Sequence, residues 1–489
     1  MIGFHRKLFI GSLGVVLCTA LASCNVGPDY RRPEISMPAA YKSPTTRNAA
    51  NAEISADWWR FFGDEELNTL EQAALSANPD LQAAMARVVQ ARAAARITGS
   101  QFYPVITANP AATWSRTNPT AGGAAGAAAS PRQIKTVVIP FDLSYEIDVW
   151  GRVRRSYEAA TAQVQASADD YGVVLLTLAA DVAQNYFTLR LLDAQDELLS
   201  HTVDSYRTQV ELTQKQVKAD LASRINEQQA VALLNSTISQ QVDVRRQRAD
   251  TEHALAILLG RAPSELTIAV RPLNVAPPAI PAGLPADLLR QRPDVAEAEQ
   301  NLIAANAQIG VATAQLYPTF QLTGAAGFES PSFANALDWQ QRFWSLGPNV
   351  SIPIFNGGKL TAAVAQAKAR YDELTATFCG SVLGAIRDVE DALTDLHMRA
   401  DQAAAQDLAV NASREYLRLA DLQYRSGLAT YLQVVDAERT LLSNELLAVQ
   451  IRSQRLISTV VLIKSLGGGW NPGGPVDSTG ASPVERPQQ

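Results

Sequence analysis

A chain of 489 residues that is 47% hydrophobic and 18% charged is long enough to build more than one compact unit. Its net charge of −6 comes from interspersed signs, which excludes nucleic acid as a partner, because phosphate binding needs a basic face. Four histidines (His5, His201, His253 and His397) stand at no metal spacing, and neither a Gly-rich phosphate loop nor a nucleophile elbow occurs, so no enzyme and no cofactor is expected.

The N-terminus sets the compartment. His5-Arg6-Lys7 precedes an apolar stretch from Leu8 to Ala20 and then Leu21-Ala22-Ser23-Cys24, the layout of a secretory signal over 1–23. The stretch is too short to remain in a membrane as a helix, and no transmembrane helix is expected after it. Leu21 to Cys24 resembles the lipobox of bacterial lipoproteins, which implies cleavage before Cys24 and acylation of that residue. Asn25 follows in place of Asp, so the resemblance carries no inner-membrane retention signal and implies the outer membrane as the address. With Cys18 in the leader and Cys24 acylated, Cys379 alone remains, and no intrachain disulfide can form.

Beyond the leader the sequence is written twice. Asn78-Pro79-Asp80 with Gln101-Phe102-Tyr103-Pro104 returns as Arg292-Pro293-Asp294 with Gln315-Leu316-Tyr317-Pro318, offset by 214. Leu221-Ala222-Ser223 and Leu259-Gly260 return as Leu428-Ala429-Thr430 and Leu466-Gly467, offset by 207. One structural unit has been duplicated, so 24–286 and 287–470 are expected to share a fold, with 471–489 a disordered tail.

In chain order, each repeat carries two candidate strands between its helices. From Val137 to Val149 the odd positions carry Ile139, Phe141, Leu143, Tyr145 and Ile147, and the even ones Asp142, Ser144, Glu146 and Asp148. This period of two is that of a membrane-barrel strand with one apolar and one polar face. The second repeat sets Trp344, Leu346, Val350, Ile352 and Ile354 against Ser345, Gly347, Asn349 and Ser351. The weaker partner strands are about Val105 to Trp114 and Thr319 to Phe328, reached through the small-residue loops Asn118 to Pro131 and Glu329 to Gln341.

A helical hairpin follows each strand pair. No proline occurs between Pro140 and Pro263 or between Pro353 and Pro472, and strong helix formers dominate both stretches. A turn signal recurs near the middle of each, at Lys218 to Ser223 and at Arg425 to Thr430, giving hairpins over about 151–259 and 359–467 with a proline-rich belt at 260–286 between them. The arm from about Arg152 to Lys218, of roughly 65 residues, would reach about 100 Å at 1.5 Å per residue, and its alanine content suits coiled-coil packing. Four strands cannot close a barrel, and lipid tolerates no open edge, so the chain must oligomerise. Two copies would give eight strands with a filled lumen, and three would give twelve with a passage, so a homotrimer is expected.

At these residues a family resemblance becomes specific. Asp57-Trp58-Trp59 with Phe62-Gly63-Asp64, Leu289 to Val295, Tyr317-Pro318, Ser351 to Gly358 and Leu466 to Trp470 together resemble the outer-membrane efflux lipoproteins. These are the TolC/OprM-like outer membrane factors, the NodT group in particular, and the likeness runs from Cys24 to Trp470. It implies an α+β membrane protein in which three chains build one 12-stranded β-barrel, continued by a long α-helical coiled-coil tunnel through the periplasm. The implied role is the exit duct of a tripartite efflux pump, with a periplasmic adaptor (membrane fusion) protein and an inner-membrane transporter of the RND type as partners. The competing reading, a non-conducting trimeric coiled-coil lipoprotein, would not explain two equivalent amphipathic strand pairs.

The same resemblance places a closing ring at Leu432, Asp436 and Arg439, whose spacings of four and three put them on one helix face. Asp436 would concentrate negative charge at the axis, Leu432 would constrict it, and Arg439 could neutralise Asp436 as an i, i+3 pair. Adaptor docking falls on the hairpin tips, Leu221-Ala222-Ser223 and Gly427-Leu428-Ala429-Thr430. The first tip has Asp220 where the family usually has glycine, which leaves its turn geometry open.

Overall fold

The computed structural model describes residues 25–42, 54–117, 132–271, 277–278 and 291–470. The leader, Cys24, the 118–131 loop, about half of the proline-rich belt and the tail lie outside the described residues. The elements are α1 (Glu65–Ala77), α2 (Pro79–Gly99), β1 (Val105–Ala108), β2 (Ala111–Thr117), β3 (Arg132–Ile147), α3 (Arg152–Lys218) and α4 (Arg224–Leu258). Then come α5 (Pro293–Ala314), β4 (Thr319–Ser330), β5 (Arg342–Ser351), α6 (Lys359–Arg425) and α7 (Tyr431–Ser465). The duplication is visible in the lengths: α3 and α6 each have 67 residues, and α4 and α7 each have 35.

The chain divides into two compact units, each drawing on both repeats. One takes Met1–Pro33, Val89–Ala166 and Glu299–Thr377 and holds the sheet. The sheet is antiparallel throughout, in the order β1-β3-β4-β5, with β2 also on β3. The expected single strand from Val105 to Trp114 is interrupted, because Asn109-Pro110 falls between β1 and β2. Proline has no N–H to give the ladder, so pairing lapses there and resumes at Ala111 opposite Val138. Counting β1 and β2 as one broken strand, the sheet has the four expected, and β3 is longer than its alternating core, at 16 residues.

The other unit takes Glu34–Val88, Ser167–Ala298 and Phe378–Gln489 and is helical. Its largest apolar core joins Trp58, Trp59 and Phe62 to Leu178, Tyr186, Phe187 and Leu189 of α3, Leu255 of α4, and Leu456, Val460 and Ile463 of α7. α3 and α7 contain the two windows apolar enough to cross a membrane by composition, but both windows are roughly half buried inside the chain. The core they enter accounts for that apolarity without a membrane span. Asp64 starts α1 by accepting from the N–H groups of Glu66 and Leu67, and Asn78 starts α2 by accepting from those of Asp80 and Leu81. Near the belt, the buried Arg190 donates to Asp193 at 2.5 Å, Glu66 at 2.9 Å and the Ala269 carbonyl at 2.8 Å, while Arg248 donates to Asp193 at 2.6 Å and the Ile268 carbonyl at 2.7 Å. These bonds hold residues 268–271 against α3 and α4.

Candidate barrel face, aperture and hairpin tips

The register turns each strand's alternation into a property of the whole sheet. Across β3, β4 and β5 the directly opposed triples are Phe141, Ala326 and Trp344; Leu143, Gly324 and Leu346; Tyr145, Leu322 and Pro348; and Ile147, Phe320 and Val350. The alternate triples are Ser144, Thr323 and Gly347, and Glu146, Gln321 and Asn349. Directly opposed residues share a face, so one side of the sheet is continuously apolar and the other polar. The apolar side is exposed in the single chain: Phe141 at 50%, Trp344 at 79% and Leu346 at 63%. Water does not favour so broad an apolar surface, whereas a bilayer does. Ile352 and Ile354, expected on the last strand, lie beyond its end at Ser351 and are exposed as well.

The residues that follow Cys24 strap onto the same unit, which the sequence did not reveal. The Val26 N–H donates to the Trp150 carbonyl at 3.1 Å, just past the end of β3. Asn306 donates to the Pro28 carbonyl at 2.9 Å, the buried Arg155 donates to Asp29 at 2.7 Å, and Tyr30 and Arg32 both donate to Glu299. At this level the Trp150 ring stacks on Tyr317 with centroids 4.8 Å apart, and its Nε1 donates to the Pro318 carbonyl at 2.8 Å. Aromatic rings with a polar handle are the residues of a membrane–water boundary. Cys24 itself lies outside the described residues.

The two hairpin tips have the same backbone. After α3, the Asp220 N–H donates to the Val217 carbonyl at 3.1 Å and the Leu221 N–H to the Gln216 carbonyl at 2.8 Å. After α6, the Gly427 N–H donates to Tyr424 at 3.0 Å and the Leu428 N–H to Gln423 at 2.9 Å. Both are Schellman closures, which need a left-handed residue at the turn. Gly427 meets this at φ 73° and Asp220 at φ 55°, the sole non-glycine with positive φ among the described residues. The turn geometry left open by Asp220 is therefore that of its glycine counterpart. Leu221 and Leu428 are 79% and 82% exposed at the tips, Ala222 and Ala429 are half-buried, and Ser223 caps α4 by accepting from the Ile225 N–H at 3.2 Å. Thr430 holds the equivalent position before α7 without a side-chain cap.

Leu432, Asp436 and Arg439 are all exposed on one face of α7's first turns, while Val434, Val435 and Ala437 turn into a core shared with Tyr206, Val210, Ala230, Leu233 and Ala420. The i, i+3 pair does not form: among the described residues no ion pair joins Asp436 to Arg439. Tyr416 of α6 reaches the carboxylate instead, its Oη donating to Asp436 at 3.3 Å. No sequence spacing could have shown this, because Tyr416 lies on the other arm of the hairpin.

The sequence pattern of the outer membrane efflux protein family matches the chain over residues 70–261 and 284–468. The cation efflux system protein CusC of Escherichia coli O6:H1 is 31% identical over 93% of this chain and 98% of its own length. The outer membrane protein OprJ of Pseudomonas aeruginosa is 32% identical over 96% of this chain and 98% of its own. Among solved structures, the outer-membrane channel OprN superposes with a TM-score of 0.84 at 31% identity, covering 91% of this chain and 100% of that one. With both repeats matched and its relatives covered almost end to end, the chain belongs to the outer membrane efflux protein family.

Proposed function

We propose that three copies of this chain form the outer-membrane exit duct of a tripartite efflux pump, each giving its sheet to one 12-stranded barrel and its hairpins to a periplasmic helical tunnel. The observation that carries this is the two-faced sheet with unclosed edges: β1 with β2 at one side and β5 at the other pair with no further strand of the described chain. A sheet whose apolar side suits lipid cannot leave those edges open there, and neighbouring copies supply the missing partners. The chain itself does no chemistry on its cargo and conducts passively. Leu432, Asp436 and Arg439 form the periplasmic aperture, on the support of their shared exposed face. The tips at Leu221, Ala222 and Ser223 and at Gly427, Leu428, Ala429 and Thr430 dock a periplasmic adaptor, whose transporter in the inner membrane is of the RND type; two exposed leucines on equivalent turns support this. Cys24 is acylated and anchors the mature N-terminus in the outer membrane, supported by the strap that brings Val26 to Trp150. Single-channel recording of purified protein in a planar bilayer tests the reading: discrete conductance is expected, and its absence from folded protein would mean a coiled-coil stalk instead.

A further inference from the structure

Behind the exposed face of Leu432, Asp436 and Arg439, about 200° around α7 from Asp436, lies the half-buried Glu438. Its Oε2 is closed to solvent and meets no hydrogen-bond donor. The hydroxyl of Tyr206 on α3, near enough to feel that carboxyl's charge, is likewise buried without a hydrogen bond. Asp421 of α6 brings a like charge to the same place, though it is itself ion-paired to Arg425 at 3.0 Å. From α7's first turn Tyr431, packed on Tyr424 of α6, also senses Glu438, and Tyr206 also senses the charge of Arg439. α4 contributes Ala230 and Leu233 to the apolar core beside these groups.

We infer that Glu438 is an internal proton switch for the aperture: protonated, it packs beside Tyr206 and holds α7 in the four-helix core; ionised, it places an unpaired charge there that α7 relieves by shifting away. The inference rests on the reading of α7's exposed face as the aperture. Burial, with Asp421 adding to it, pushes the carboxyl up to about 7. Because the folded value is raised, the packing contribution is complete under acid conditions and is lost as pH rises through about 7. Ionisation within a helix that carries Leu432 and Asp436 then displaces the constriction itself, so proton loss couples to opening.

Conductance of the purified trimer, measured one unit either side of that value, tests the switch. For the wild type, resting conductance should rise severalfold from the acid to the alkaline condition. Glu438→Gln should hold the low acid level at both. If Glu438→Gln keeps the wild-type pH profile, the switch is overturned. Infrared difference spectra give a second readout that does not depend on gating: a protonated-carboxyl band should titrate near neutrality and vanish in Glu438→Gln, and titration in the ordinary carboxylate range would overturn the proposal. Asp436→Ala at the acid condition separates the two readings, since unchanged conductance there would remove the aperture whatever Glu438 does.

Discussion

At the scale of single residues, two buried positions and one exposed one decide testable behaviour. Glu71 in α1 has both carboxylate oxygens buried without a hydrogen-bond partner, and burial pushes its pKa well up. A raised value means that its share of stability is present in acid and is lost as pH climbs above the ordinary carboxylate range. Glu71→Met, of similar shape, should therefore stabilise the folded protein at alkaline pH by about 1–3 kcal/mol, the usual penalty of an unpartnered buried polar group, and much less in acid. Thermal unfolding at two pH values checks this, and an equal gain at both would refute it. Gly467, at φ 93°, leaves only 2.0 Å between a would-be Cβ and the Gln291 carbonyl oxygen. Gly467→Ala should lower the unfolding midpoint through strain of about 1–3 kcal/mol. On the exposed face, Asp436→Ala removes both the carboxylate and its bond from Tyr416, so resting conductance should rise and cation preference weaken, further still with Leu432→Ala. Ion-selectivity recordings identical to wild type would place the constriction elsewhere. The sequence showed Leu432, Asp436 and Arg439 sharing a face, because helical spacing is local. It could not show that Glu71 is buried or that Glu438 turns its Oε2 inward, because each sits in a run that reads as a solvated helix until the other helices pack over it.

At the scale of elements, the helical arms were legible because composition and the lack of proline agree over tens of residues. The expected arm, from about Arg152 to Lys218 with roughly 65 residues, is α3, with 67. The strands were harder to read: alternation located the core of β3 but not its extension to Arg132, and the partner strand was read through a proline that breaks it. The closures of the two hairpins give a prediction at this scale. Asp tolerates the left-handed region better than most residues but less well than glycine. Asp220→Gly should therefore firm the first tip by about 0.5–1 kcal/mol, and Gly427→Ala should loosen the second by a similar amount. Hydrogen exchange at the amides of Leu221 and Leu428, which close the turns, reads both effects, and protection unchanged by either substitution would show that the turns are held from outside.

At the scale of the whole molecule, the proposed shared barrel makes the sheet edges the place of assembly. Detergent-solubilised protein is expected to have about three times the chain mass by light scattering, and a monomer that still conducts would contradict the shared barrel. Cys24→Ser should abolish acylation, seen by mass spectrometry, while the barrel still inserts, since in the proposed assembly the sheet's apolar face and not the lipid would provide most of the membrane contact. The hairpin tips carry the duplication one step further. Their backbones coincide, but the first presents a carboxylate at Asp220 where the second presents bare Gly427. Around a threefold axis, six turns of the same shape would alternate between those with and those without a carboxylate at the turn, so a partner meeting the rim would find a sixfold outline with a threefold code. Such a partner could find its place by fit at any of six positions and its phase by charge at only three.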